Sequence, residues 1–336
     1  MTATTPVLKV VKPGPQSTVQ DLGRVGYLHT GMPQAGAQDP LALKLANQLA
    51  GNPSGGQFGG QSADPGPAAL EVLMAGLHVE ALASVTVALT GADLGPMVNG
   101  KLVGSWETIH LKMGDELVLS KLNRGLRGYL GIGGGIAVEP VLGSRATYLR
   151  GAVGGFGGRA LKAGDILEAY DSRPTRTLRV PEDRRPPSVG GEIRVVLGPQ
   201  DYLYAAEGVD AFLALPWQLL PASDRMGFRF AGPSLQFASD SPHQMEYHPP
   251  FIVDDFIPLG GIQTPSEGLI IAMGVDGPSL GGFSKIATVC SVDFGVLAQT
   301  RPGQQVRFSA IDWADAVHLA AWWSQRIEQE EVVVPA

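Results

Sequence analysis

Residues able to move protons or stabilise negative charge recur in this sequence as short runs wrapped in glycine and proline. They are Gln20-Asp-Leu-Gly-Arg-Val-Gly-Tyr27, leading to Gly31-Met-Pro33 and Gly36-Ala-Gln-Asp39; Thr90-Gly-Ala-Asp93; Leu142-Gly-Ser-Arg-Ala-Thr147; and Gly198-Pro-Gln-Asp201. The second half adds Ser223-Asp-Arg-Met-Gly227, Gly261-Ile-Gln263 and Asp276-Gly-Pro-Ser-Leu-Gly-Gly-Phe-Ser-Lys285. Arg, Lys and backbone N–H groups stabilise a developing oxyanion. A carboxylate moves or orients protons, and glycine lets the backbone approach a small molecule closely. Together these parts suit chemistry at an amide, where a carbonyl is polarised and a nitrogen changes protonation. The competing reading is that Asp and Arg in such loops pair with each other and cap turns.

Other motifs fail in context. Gly95 to Lys101 spells the start of a phosphate loop, but Leu102 follows where a Ser or Thr would bind magnesium, and no helix comes after it. Gly155-Phe-Gly-Gly-Arg-Ala160 fits a loose dinucleotide fingerprint without the βαβ setting that gives the motif its mechanism. His110-Leu-Lys-Met113 has one of the two methionines of a biotin-attachment hairpin, so Lys112 reads as an ordinary exposed strand residue. No Gly-x-Ser-x-Gly elbow is present. The six histidines, His243 and His248 in a Pro-rich loop among them, form no ligand pair, and no metal site is expected. Cys290 ends the apolar run Ile286-Ala-Thr-Val-Cys290 and reads as a buried structural thiol.

The elements that must position these residues are mostly strands. Val85–Thr90 has strand character, and Met97–Val103 contains Asn99-Gly100, the step that suits a type I′ hairpin. Gly114-Asp115 turns the chain between Ile109–Leu111 and Glu116–Leu119. Lys162-Ala-Gly-Asp165 and Arg301-Pro-Gly-Gln304 repeat that turn, followed by Ile166-Leu167 and by Gln305-Val-Arg-Phe308. Two helices stand out. Asp39 caps one, with Pro40 at its first position, Leu41 to Leu49 as its apolar face and Gly51 past its end. Asp312 caps the other, which runs through Trp313, Val317, Ala320 and Trp323 to about Ile327. Asn52–Ala68 reads as a loop and Asp171–Gly191 as a linker, dividing the chain into domains 1–180 and 191–336, the latter with the terminal helix.

Composition narrows the class. Of 336 residues, 44% are hydrophobic and 17% charged, enough apolar content for sizeable cores. The net charge of −7, with both signs mixed, argues against nucleic acid as a partner. No apolar run is long enough to span a bilayer, so no membrane partner is expected. The N-terminus has neither the basic start nor the apolar stretch of a signal peptide. One cysteine excludes an intrachain disulfide, and a cytoplasmic location is expected.

Gln20-Asp-Leu-Gly-Arg24 with Gly26-Tyr27 and Gly36-Ala37 before Asp39, then Thr90–Asp93, Leu142–Arg145, Asp224–Gly227 and Gly282-Phe-Ser-Lys-Ile-Ala287, follow one another in the order of a known family. From about Val7 to Phe308 the chain resembles the carboxyltransferase-domain family that includes the C-type component of 5-oxoprolinase, the proteins once called allophanate hydrolase subunit 2, a sporulation-kinase regulator, and the carboxyltransferase domain of urea carboxylase. The resemblance implies tandem cyclophilin-like β-barrel units with a few short helices. It implies a B-type partner of related fold and an A-type partner, which together open the lactam of 5-oxo-L-proline to L-glutamate using ATP bound by or shared with those partners. The alternatives it leaves are carboxyl transfer from carboxybiotin to urea or a similar amide, and non-catalytic regulation of a kinase inhibitor.

Asp276-Gly-Pro-Ser-Leu-Gly-Gly-Phe283 departs from the Thr-Thr-Gly-Gly-Tyr form expected of the oxoprolinase component and looks more like urea carboxylase. The segment after Asn52 is also longer than expected. On motif membership and residue chemistry, the expected catalytic residues are Asp21, Arg24, Asp93 and Arg145. Arg225, Gln263, Asp276 and Lys285 are expected to bind substrate. The arginines would hold carboxylate and carbonyl oxygens, the aspartates would manage protons or orient the arginines, and Gln263 and Lys285 would touch the substrate.

Overall fold

The computed structural model describes residues 3–55, 65–170, 176–187, 190–239 and 251–336. His243 and His248 lie outside the described residues, as do the middle of the Asn52–Ala68 loop and parts of the Asp171–Gly191 linker. The protein is mainly β, with the barrel architecture that the sequence led us to expect. It divides into two compact units. The first comprises residues 1–25, 35–186 and 322–336; the second comprises 26–34 and 187–321. Sequence alone groups residues 322–336 with the second half. Contacts put them in the first unit, because Ile327 is fully buried there and the short strand Val334–Pro335 pairs with Leu178–Arg179.

Besides that short pair, the described residues of the first unit form two larger sheets. One runs in the order Ile166–Ala169, Thr5–Pro13, Leu77–Ala81, Glu116–Leu119, Pro96–Val98, Lys101–Leu102; the other runs Gln16–Gln20, Ala69–Leu73, Arg124–Ile132, Val85–Asp93, Thr108–Leu111. Their core includes Val7, Val10, Val19, Leu70, Val87, Leu89, Leu130 and Leu167. Along Val85–Asp93 even the polar Thr86 and Thr90 are buried, so burial does not alternate there. The face opposite the core is covered by the helix Pro40–Leu49, with Thr90 Oγ1 donating to Ala42 O at 2.7 Å and Thr108 Oγ1 to Leu49 O at 2.7 Å. Gly131 makes that close packing possible, since a Cβ there would fall 2.3 Å from Ala46 O. Asp39 caps the helix by accepting from Ala42 N at 3.0 Å, and Gly51 follows its end at φ +83°.

The local turn readings match the structure. Asn99 and Gly100 both have positive φ, at +49° and +78°, and join paired strands as a type I′ hairpin. The three echoing turns share one device. A side-chain oxygen of the fourth residue accepts from the backbone N–H of the first: Asp115 from Lys112 at 2.7 Å, Asp165 from Lys162 at 2.7 Å, and Gln304 from Arg301 at 2.8 Å.

In the second unit seven strands close into a barrel, in the order Glu192–Leu197, Lys285–Val289, Gly261–Ser266, Leu269–Met273, Gly227–Ala231, Trp217–Leu219, Gln305–Ala310. Parallel pairing of Ile193 with Phe308 completes the ring. Ile193, Val195, Trp217, Phe228, Phe230, Ile262, Ile270 and Phe308 fill it. Outside the barrel, Phe251–Phe256 and Leu280–Phe283 pair as a two-stranded ribbon. Cys290 is buried and its thiol is pushed up to about 11, chiefly by burial, as suits a structural residue. The terminal helix Trp313–Glu328 starts after Asp312, which accepts from Asp315 N at 2.8 Å. Among the described residues, no helix is long and apolar enough to cross a membrane.

Candidate functional site

Most of the residues singled out by sequence fall into three groups, one in the first unit and two in the second. In the first unit the strand Gln16–Gln20 pairs along its length with Ala69–Leu73 and delivers Asp21 just past its end. Asp21 is fully buried. Its Oδ1 accepts from Gly23 N at 2.8 Å and from the Ser144 hydroxyl at 2.7 Å, and its Oδ2 accepts from Arg145 N at 2.6 Å. Burial pushes the carboxyl above its ordinary value, while those hydrogen bonds and the nearby Arg24 pull it part of the way back. Arg24, also buried, donates from Nη2 to Ala146 O at 2.5 Å. Arg145 is half-buried; its Nε donates to Val138 O at 3.1 Å and its guanidinium lies 5.4 Å from the centre of the Tyr170 ring. Asp21, Arg24 and Arg145 thus meet around the segment 144–147.

Asp93 does not join them. Leu70 faces Leu130, so the Gln20–Ala69 end of the sheet lies toward Ile132, whereas Asp93 faces Arg124 at the other end of that nine-residue strand. With each residue advancing a strand by about 3.3 Å, the two ends are far apart. Asp93 instead caps a turn, accepting from Gly95 N at 3.0 Å and Asn123 Nδ2 at 3.2 Å.

A glycine loop closes over the Asp21 cluster. An added Cβ on Gly154, whose φ is +69°, would lie 2.2 Å from Ala146 O and 2.8 Å from Arg24 Nη2. Left-handed strain and overpacking act together there, so Gly154→Ala is expected to cost about 2–4 kcal/mol. Urea denaturation measures this, and an unchanged midpoint would show that the loop yields freely.

In the second unit the turn Asp224–Gly227 presents Arg225, which grips Asp276 bidentately through Nε–Oδ2 at 2.9 Å and Nη2–Oδ1 at 3.1 Å. Both side chains are buried. Gln263 and Lys285 face each other across adjacent barrel strands. Gln263 Nε2 approaches Phe283 O at 3.4 Å, and Lys285, with no exposed side-chain surface, donates from Nζ to Asp255 Oδ2 at 3.0 Å. That same oxygen accepts from Gln200 Nε2 at 2.9 Å. The Lys285 ammonium, aided by Gln200, holds the Asp255 carboxyl below the usual carboxylate range. Next along the same two strands, Thr264 and Ser284 meet the hydroxyl of Tyr204, and burial raises that phenol to about 12. A cavity of about 130 Å³ opens beside Thr264, lined also by Trp217, Leu235, Phe237 and Ser266.

Sequence reading missed three features in these two units. Gln200 lies in the flagged run Gly198–Asp201, but nothing in the run marks it above its neighbours. Asp255 sits in a ribbon strand without flanking glycine. In the first unit Tyr129 donates to Glu71 Oε2 at 2.8 Å and accepts from Asp39 N at 2.8 Å, with Arg127 beside Glu71 at 3.9 Å. Burial, then the charges of Glu71 and Asp39, push that phenol well up. A Glu and a Tyr on neighbouring strands give no local signal that they will be partners.

The chain belongs to the carboxyltransferase domain family, subdomains A and B, whose model matches residues 30–310. Within that family it is 33% identical over 302 residues to the C-type component of 5-oxoprolinase from Escherichia coli K12, covering 90% of each chain. It is 30% identical over 324 residues to urea amidolyase of Saccharomyces cerevisiae, covering 93% of this chain and 17% of that one. Among solved structures, urea amidolyase of K. lactis superposes over all of this chain and 21% of its own, with a TM-score of 0.86 at 28% identity.

Proposed function

We propose that this chain is the C-type component of an ATP-dependent 5-oxoprolinase, opening 5-oxo-L-proline to L-glutamate with A-type and B-type subunits. The observation that carries this reading is the match to the E. coli 5-oxoprolinase component over nine-tenths of both chains, whereas the chain spans only a small part of the urea amidolyases. In this reading Lys285 and Gln263 bind the lactam, and Arg225 is held in place for it by Asp276. The Asp21–Arg24–Arg145 cluster keeps the 144–147 segment and the glycine loop in register. Gly95–Lys101 folds as a hairpin and offers no helix N-terminus to a phosphate, in keeping with an ATP site bound by or shared with the partner subunits.

A second reading rests on its own observations. The run Asp276–Phe283 and the superposition of this chain on 21% of urea amidolyase favour carboxyl transfer from carboxybiotin to urea or a similar amide. The deciding experiment purifies the chain with its A-type and B-type partners and supplies ATP and 5-oxo-L-proline. Glutamate formed only when all three chains are present is the expected result. A folded complex that makes none, yet carboxylates urea from carboxybiotin, would replace the first reading by the second.

A further inference from the structure

Lys285 is a buried cation with most of its donors uncommitted among the described residues. Its side chain is fully shielded, yet among the described residues its ammonium meets one acceptor, Asp255 Oδ2 at 3.0 Å. An ammonium has three N–H groups, and buried donors in folded proteins find acceptors. A lysine kept only to fill space here would be replaced at no loss by an apolar side chain of the same volume. The two donors left open among the described residues therefore mark a place for oxygen atoms that those residues do not provide.

The single acceptor is held from several sides. Gln200 Nε2 donates to the same Asp255 oxygen at 2.9 Å. Gln200 is in turn fixed to the main chain of Lys285, donating from its backbone N to Lys285 O at 3.0 Å and accepting at Oε1 from Lys285 N at 3.1 Å. The three residues form a closed ring of contacts, in which the lysine's main chain fixes the glutamine, the glutamine fixes the aspartate, and the aspartate fixes the lysine's own ammonium. Asp255 keeps 45% of its side chain exposed, so this carboxylate joins the buried ammonium to the surface.

We propose that Asp255 and Gln200 are positioning residues for Lys285, and that the open ammonium donors receive the carbonyl oxygen of an amide or lactam substrate. The inference rests on the proposed function for the identity of that substrate, while the ring of contacts stands apart from it. A donor fixed before the substrate arrives need not reorganise as charge builds on the carbonyl oxygen, which is where such donors gain their effect.

The test uses the full complex carrying Asp255→Asn, Asp255→Glu or Gln200→Ala, with two readouts. The first is the rate at which acetic anhydride acetylates Lys285, followed by peptide mass mapping. Asp255→Asn is expected to raise that rate at least about tenfold, with Gln200→Ala in between, because the amine loses its anchor. A rate within twofold of wild type overturns the positioning role, whatever the substrate. The second readout is turnover of 5-oxo-L-proline. Asp255→Asn is expected to lower kcat by about 10–100-fold with KM within threefold, and Asp255→Glu to recover at least a third of the activity. A kcat within twofold of wild type, or a glutamate variant as impaired as the asparagine one, overturns the role in turnover. If the wild-type complex leaves the lactam intact, the substrate reading fails and acetylation alone decides the positioning role. Gln200→Ala keeps the test open if Asp255→Asn does not fold.

Discussion

Replacing Asp276 by alanine is expected to cost the second unit about 3–5 kcal/mol, because it leaves the Arg225 guanidinium buried without its carboxylate. The geometry makes this pair hard to replace piecemeal. Two parallel N–H···O bonds fix the plane of the guanidinium, and the backbone closes the same contact from Asp276 N to Arg225 O at 3.0 Å. Arg225→Lys is expected to lose most of the same stability, since an ammonium cannot make the paired bonds. The double variant Arg225→Met/Asp276→Leu separates structure from function. Apolar residues of similar volume commonly restore the stability lost on breaking a buried pair, so the midpoint of denaturation should return to near wild type. Glutamate production should not return if Arg225 contacts the substrate. Recovery of both would assign the pair to folding alone, and the coupling energy of the cycle measures how far the two residues act as one.

What was legible in the sequence was local. Asn99-Gly100, the Asp39-Pro40 cap and the Asp312 cap announce themselves because each solves its backbone problem within a few residues of chain. The three echoing turns do so as well. Cys290 could be read because its neighbours are apolar. Strand register is different, since it depends on partners far away in the chain. Thr90–Asp93 has the composition of a site loop, yet the pairing of Asp93 with Arg124 sends it to the end of the sheet opposite Asp21. Asp255 lies well before Lys285 in the chain, and Gln200 lies further still, so only the closed barrel and its ribbon bring them to one oxygen. The strand Val85–Asp93 hides its periodicity for a related reason: a helix covers the face that alternation would have left wet. The family motifs were legible as runs, but their residues turn out to be shared between holding loops and presenting chemistry.

Asp21→Ala is expected to cost about 3–6 kcal/mol, for it strands three donors that are now satisfied: Gly23 N, Ser144 Oγ and Arg145 N. Asparagine in its place keeps one oxygen acceptor but turns an NH₂ toward donors, so Asp21→Asn should cost less, about 1–3 kcal/mol. The pH dependence distinguishes loss of charge from loss of shape. Burial raises the Asp21 carboxyl in the folded protein above its ordinary value of 3.8. Its contribution to stability is therefore full below that value and is lost as pH rises through the higher folded value. The stability advantage of wild type over Asp21→Asn should accordingly shrink as pH is raised from below 3.8. Denaturation midpoints of both proteins across that range provide the check, and an advantage that grows with pH would mean that the three hydrogen bonds outweigh burial and hold the carboxylate charged. Either sign matters for the site, because Arg145 takes its backbone position from this carboxylate and Arg24 lies against the same segment. A neutral Asp21 would fix the loop by shape, whereas a charged one would add a field that draws both arginines toward it and away from any ligand.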